Sequence, residues 1–286
     1  MSKLSLRYES LMDSVRSACI LEAAAPKVGN VHPECSFHDC TFEDFVRSAG
    51  AVASRLDGTG TVGETVFSAV KATREVVVTN TNLGIILLLA PLCKVRMDQS
   101  LRDGIGEVLE QLTMEDASLV YEAIRLAQPG GIGKSEQHDV SGPAPVSLIE
   151  AMQVVAEKDR IARQYCIGFE DVLETGVQEL KEWTRRSSDW QTIIVGLQLS
   201  LLSRWPDSLI ARKCGIAQAE AVRERASMIL KAGWPESGHV EFEQFDAWLR
   251  SDGNRLNPGT TADLIAAILF AAMRENVVAF PTEIDV

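Results

Sequence analysis

The sequence predicts an all-α fold, a single-domain helical bundle whose functional loops sit at helix N-termini. Three observations carry this. Apolar residues recur at helical spacing through most of the 286 residues. Four segments open on a hydroxyl residue followed three places later by an acid: Thr41/Asp44, Thr113/Asp116, Ser147/Glu150 and Thr260/Asp263. At that spacing the side-chain oxygen satisfies a free N–H of the first turn. Strand signals are scarce: only "EVVVT" at 75–79 reads as a strand, so no doubly wound sheet is expected.

In chain order, residues 5–25 form an amphipathic run that ends at Pro26, and "TFEDFVRSAGAVASRL" opens the next helix. An almost wholly apolar helix starts after "TNTN", and "EDASLVYEAIRLA" places Leu119, Val120, Ala123, Ile124 and Ala127 at helical spacing. Further periodic runs cover about 148–183, 190–204, 216–232, 241–250 and 261–275. Glycine and proline concentrate at 26–40, 56–64, 128–146 and 251–260, which are the expected loops. No repeat, low-complexity tract or linker divides the chain, so residues 1–286 are expected to form one domain.

A net charge of −12 argues against nucleic acid as partner, because phosphate-backbone binding requires a broad basic surface. It leaves room for one small anion held by a local Lys/Arg cluster, by helix N-termini, or through Mg²⁺. The longest apolar stretch, "LGIILLLAPLC", has about half the roughly 20 residues needed to cross a bilayer, so no membrane partner is expected. The N-terminus lacks the pattern of a secretory signal, and a cytoplasmic location is expected. A homodimer is compatible with all of this. Six scattered cysteines read as reduced thiols. His32, Cys35, His38 and Cys40 fall within nine residues, but structural zinc sites usually join two separated ligand pairs, so zinc is not expected.

The segment "PGGIGKSEQHDV", residues 129–140, contains the Gly-Lys-Ser that closes a phosphate-binding P-loop. The pattern also requires a glycine five places before Gly133, where Gln128 stands, and a preceding strand, where a helix is expected. It is therefore not read as a P-loop.

Four polar junctions exceed what a plain bundle requires. "PKVGNVHPECSFHDC" supplies Lys27, Gly29, Asn30, His38 and Asp39. Asn80, Thr81 and Asn82 precede the apolar helix, where amides, hydroxyl and free N–H groups suit an anion; ordinary capping is the alternative. Asp207 opens a helix that carries Arg212 and Lys213 one turn on, and it reads equally as a cap. In "NPGTTAD", capping accounts for Thr260 and Asp263 but leaves the first three residues unexplained. Asp139 lies in the opening loop, and Asp159 reads as a helical residue paired with Arg163 four places on. His138 reads as a solvated loop residue and His239 as structural.

Taken together, "PKVGNVHP…SFHDCTFEDF", "NTNLG", "GGIG" with "HDV", "PDSLIARKCG" and "NPGTTADLIA" resemble the triphosphoribosyl-dephospho-CoA synthase family. The resemblance runs from about residue 20 to 275. It implies a helical enzyme that moves the triphosphoribosyl group of ATP to a ribose hydroxyl of dephospho-CoA. Adenine is released, and the product is the precursor of an acyl-carrier prosthetic group. Family members typically carry "NTHKG" where this chain has "NTNLG", so a divergent branch that accepts a related ribose-containing cofactor is also expected.

The resemblance also implies roles. Asp139, Asp159, Asp207 and Asp263 would form the acidic set that stabilises an oxocarbenium-like transition state, with His38 a proton carrier. Asp139, Asp207 and Asp263 would hold Mg²⁺. Lys27, Arg212 and Lys213 would bind phosphate, and Gly29, Asn80, Thr81, Gly84, Gly131, Gly133, Gly259 and Thr261 would shape the nucleotide site. Two alternatives stay open: a metal-dependent phosphohydrolase built on His38 and Asp39, and a nucleotide-binding module without turnover.

Overall fold

The computed structural model describes residues 3–79, 81–128 and 146–286. Among these, α-helices dominate and the only sheet is a two-stranded ribbon, so the all-α class holds. Strand β1 (Lys3–Ser5) pairs antiparallel with β2 (Glu283–Asp285), with Leu4 opposite Ile284, and so ties the two ends of the chain together. This ribbon left no sign in the residue pattern, because three-residue strands are too short to show a period.

The first half of the chain runs through α1 (Leu11–Ala24), α2 (Phe42–Ala53), α3 (Val62–Val76), α4 (Leu83–Lys94), α5 (Leu101–Glu110) and α6 (Met114–Ala127). The second half runs through α7 (Leu148–Val155), α8 (Arg160–Cys166), a π-helical turn (Asp171–Gly176), α9 (Val177–Arg186) and α10 (Trp190–Arg204). It continues with α11 (Ser208–Cys214), α12 (Ile216–Lys231), α13 (His239–Arg250) and α14 (Gly259–Arg274). Capping boxes form at Thr41/Asp44, Thr113/Asp116 and Ser147/Glu150, and a further one at Thr61/Glu64.

Three local expectations are corrected. "EVVVT" is not a strand: Val76 ends α3, and the Val77 N–H donates to Thr73 O at 2.9 Å. Packing of α3 on α2, α4 and α6 overrides the β preference of three consecutive valines. The run 148–183 is interrupted twice. Asp159 starts α8 by accepting from the N–H groups of Ile161 (2.9 Å) and Ala162 (3.2 Å), and Gly168 and Phe169 take left-handed φ of 59° and 61°. Thr260 does not cap α14, which already begins at Gly259 and has no side-chain cap.

Two helices stand at the centre. In α14 every residue from Thr260 to Met273 is buried except Asp263. It packs on α1, α4, α8, α9, α10 and α11, as a helix apolar on all sides must. In α4 every residue from Leu83 to Cys93 is buried except Gly84. The start of α14 is fixed by Asp207, the N-cap of α11. Its Oδ1 accepts from Leu209 N (2.9 Å) and Ile210 N (3.1 Å), and its Oδ2 accepts from Thr261 N and Thr261 Oγ1, both at 2.8 Å.

Asp207→Ala removes all four of these bonds and leaves buried donors unpaired. We expect a loss of at least about 3 kcal/mol in urea unfolding, from the cap and the charged hydrogen bonds combined. Asp207→Asn, which keeps the cap, loses less.

Candidate functional site

Where α4 meets α14 the chain encloses a cavity of about 900 Å³, a volume suited to a nucleotide-sized ligand. Its wall carries four carboxylates (Glu22, Asp39, Asp159, Asp263) and four cations (Arg74, Lys158, Arg212, Lys213) among apolar side chains. Gly84 and Asp263, the two interruptions in the buried helices, face each other. A Cβ at Gly84 would lie 2.5 Å from Asp263 Cγ and 2.6 Å from Ile161 Cδ1, so only glycine admits the carboxylate at this point.

The charges around Asp263 set its chemistry. Burial raises its pKa well above the usual carboxylate value, and the negative charges of Glu22, Asp207 and Asp159 raise it further against the opposing pull of Arg212. Glu22, almost fully buried in α1, also has a raised pKa from burial, opposed by the Lys27 ammonium 3.0 Å from its Oε1. Asp159 pairs through Oδ2 with Arg212, which joins the start of α8 to the last turn of α11. Lys213 is half-buried, its pKa lowered by burial, and its Nζ donates to Asn254 O at 3.3 Å.

The loops at the mouth are tied by amides. Gln198 Oε1 accepts from Val28 N (2.8 Å), and its Nε2 donates to Val28 O (2.9 Å) and Asn30 Oδ1 (2.8 Å). Asn30 Nδ2 in turn donates to Asn257 Oδ1 at 2.6 Å. This accounts for "NPG": Asn257 anchors the first loop, Pro258 packs against Gly29, and Gly259 lies in the wall, where a Cβ would stand 2.5 Å from Leu209 Cδ2.

Of the residues singled out from sequence, the cavity gathers Asp159, Asp263, Thr81, Gly84, Arg212, Lys213 and Gly259. Asp159 is a helix cap paired with Arg212, not a mid-helix partner of Arg163; Arg163 instead lies 3.6 Å from Asp171. Others are corrected. Lys27 is 0% exposed and turned onto Glu22, so it meets no phosphate. Asp207 is saturated by four protein donors, and Thr261 spends both its N–H and its hydroxyl on Asp207, so neither is a ligand for a metal or nucleotide. Gly29 lies outside the wall; it takes φ 70° in a turn and donates its N–H to Asp246 Oδ1 at 2.7 Å. His38 is 77% exposed and does not line the cavity, which leaves the pair with Asp39 without an enclosed site.

Asn80, Gly131, Gly133 and Asp139 lie outside the described residues. Among the described residues no group of three or more His, Cys, Asp and Glu is placed to hold a metal. His32 and Cys35 are instead joined backbone to backbone, as are Phe37 and Cys40. No helix among them is long and apolar enough to cross a membrane.

Asn82, named with Thr81 as an anion-facing amide, also lies in the wall, whereas sequence reasoning missed Glu22, Arg74 and Lys158, which lie in helices or turns whose periodicity says nothing about a cavity.

These features define a helical enzyme with an enclosed, charged site at the start of its two central helices. The family model of ATP:dephospho-CoA triphosphoribosyl transferase, CitG, matches residues 8–280. The chain therefore belongs to that family, and its activity is the family's transfer of the triphosphoribosyl group of ATP to dephospho-CoA. It is similar to the crystal structure of an Archaeoglobus fulgidus protein assigned as a triphosphoribosyl-dephospho-CoA synthase. Identity is 28% and the TM-score 0.65, over 82% of this chain and 99% of the other. No curated protein matches it closely.

Gly84→Ala tests the central contact. The added methyl displaces Asp263, with an overpacking cost of about 1–3 kcal/mol in unfolding and roughly a 100-fold loss of turnover from misplacement of the carboxylate.

Proposed function

We propose that the cavity takes ATP and the acceptor together and that Asp263 stands at the reacting centre. The supporting observation is the Asp263 carboxylate itself, the one break in the buried run from Thr260 to Met273, admitted by Gly84 into a wall that also carries Arg212, Lys213 and Lys158. The C1′–N bond of ATP breaks as a bond forms from C1′ to the acceptor oxygen. The hydroxyl proton is matched by the proton that the departing adenine takes up, so the transfer consumes none overall. Positive charge develops on the ribose ring, and the carboxylates of Asp263 and Asp159 supply a fixed negative field beside it.

Glu22 takes the hydroxyl proton on its carboxylate, which Lys27 holds in the wall. Arg212, Lys213 and Lys158 orient the anionic parts of both substrates. The negative charges of Glu22 and Asp159 that act on Asp263 fit a divalent cation beside it, and Mg²⁺ commonly needs only one or two protein carboxylates besides phosphate oxygens. Asp263 would hold it there, and the ion would neutralise the triphosphate. Dephospho-CoA is the first acceptor, with a related ribose-bearing cofactor the second reading because of Asn82 and Leu83 in "NTNLG". Both substrates are intracellular metabolites, which supports a cytoplasmic location.

Incubation with ATP, Mg²⁺ and dephospho-CoA should release adenine with no matching ADP or phosphate, as read by chromatography. ADP or phosphate in its place would mean attack on the phosphate chain. Replacing Glu22→Gln together with Lys27→Met leaves no buried charge unpaired, and should lower kcat by roughly 10² to 10⁴-fold while ATP affinity holds.

The displaced pKa of Asp263 gives a second expectation. Its carboxyl holds a proton more tightly in the folded than in the unfolded chain, so the empty protein loses stability as pH rises from about 4 through the raised value. Glu22 of α1, Asp159 and Asp207 at the starts of α8 and α11, and Arg212 are the charges that face it. Asp263→Asn should match the wild type in thermal unfolding at pH 4, melt higher at pH 8, and have no turnover.

A further inference from the structure

We propose that the N-terminus of α4, with the side-chain amide of Asn82 as its donor, is the seat of the phosphate chain of ATP. The proposal deepens the reading of the cavity as an ATP site and rests on it. Asn82 holds the N-cap position of a 12-residue helix, where an asparagine ordinarily turns back to accept from the first turn. Here it does not: the Asn82 side chain makes no cap hydrogen bond. Asn82 is 5% exposed, it lines the cavity, and among the described residues its Nδ2 has no hydrogen-bond partner. A buried N–H donor left unpaired destabilises the protein unless a ligand supplies an acceptor.

The surroundings select the acceptor. The neighbouring Thr81 hydroxyl is taken by Ser48 Oγ at 2.6 Å, so Thr81 fixes the loop and leaves the amide as the side-chain donor of this step. The N-terminal end of α4 carries positive potential, and the only charged residue of the helix, Lys94, lies at its other end. Arg74, anchored on Val78 O, brings a guanidinium to the same wall. Asp263, behind Gly84, opposes an anion here, which is why helix terminus, amide and Arg74 act together. A phosphoryl oxygen accepts only and is charged, so it answers an unpaired donor at a helix start better than a ribose hydroxyl or the adenine edge.

The test is calorimetric titration of the wild-type chain, Asn82→Ala and Asn82→Asp with three probes at fixed Mg²⁺: ATP, inorganic tripolyphosphate and adenosine. We expect Asn82→Ala to weaken ATP and tripolyphosphate alike by roughly 10- to 100-fold, the loss of one hydrogen bond to a charged group. Asn82→Asp should weaken both further, and adenosine should bind all three proteins equally. The empty Asn82→Ala protein should melt at or above the wild-type temperature, because the substitution removes an unpaired donor.

Tripolyphosphate binding within twofold of wild type in both variants would overturn the proposal, as would a loss confined to adenosine. A lowered melting temperature in Asn82→Ala would make Asn82 a structural cap and overturn it too. Adenine release is measured separately. Tripolyphosphate binding that depends on Asn82, in a protein that releases no adenine, would leave the phosphate seat standing and refute only the transfer chemistry.

Discussion

The contact between Gly84 and Asp263 is the constraint on which the rest of the molecule depends. Two helices apolar on every side cross at the centre of the fold, and each would be an ordinary core helix without this one point. Removing the side chain from one helix makes room for a carboxylate on the other. The cavity is the consequence: the core cannot close over a charge for which the described residues supply no donor in the way the Thr261 groups supply Asp207.

Several charged and polar groups serve to hold that arrangement without touching a ligand. Asp207 fixes the starts of α11 and α14 to each other, so Asp263, two residues beyond Thr261, is placed by a neighbour that never reaches the cavity. Lys27 holds Glu22 in the wall. Gln198 and Asn30 anchor the loops that carry Gly29 and Asn257. The bonds of Gln198 to Asn30 and of Asp207 to Thr261 cross between elements far apart in the chain and are buried, where a hydrogen bond is both strong and costly to leave unmade.

The same arrangement sets stability against function. Burial and the charges of Glu22, Asp207 and Asp159 raise the proton affinity of Asp263 in the empty protein, and Asn82 keeps a donor without an acceptor among the described residues. A chain selected for stability alone would carry neutral, self-satisfied groups at these positions. A polyanionic, cation-bearing substrate supplies the charges and acceptors that the empty wall lacks.

The helical class, many helix boundaries, three of the four expected capping boxes and the set of polar junctions were legible in the sequence, because those follow from spacing of 3.6 residues and from local bonds within one turn. The sequence also pointed to Asp159, Asp263, Gly84, Arg212 and Lys213, which do meet in the cavity. It had no means of telling Asp207 from Asp263: both are acids at the start of a helix, and only the approach of Thr261 to one and of Gly84 to the other separates strut from working group. Lys27 and Glu22 exchanged their expected standing for the same reason, since burial and pairing across a turn decide which of them faces the cavity. The break at Asp159 and the unpaired amide of Asn82 were likewise settled by tertiary structure: a side chain's partner depends on what packs beside it, and that information is not local in the chain.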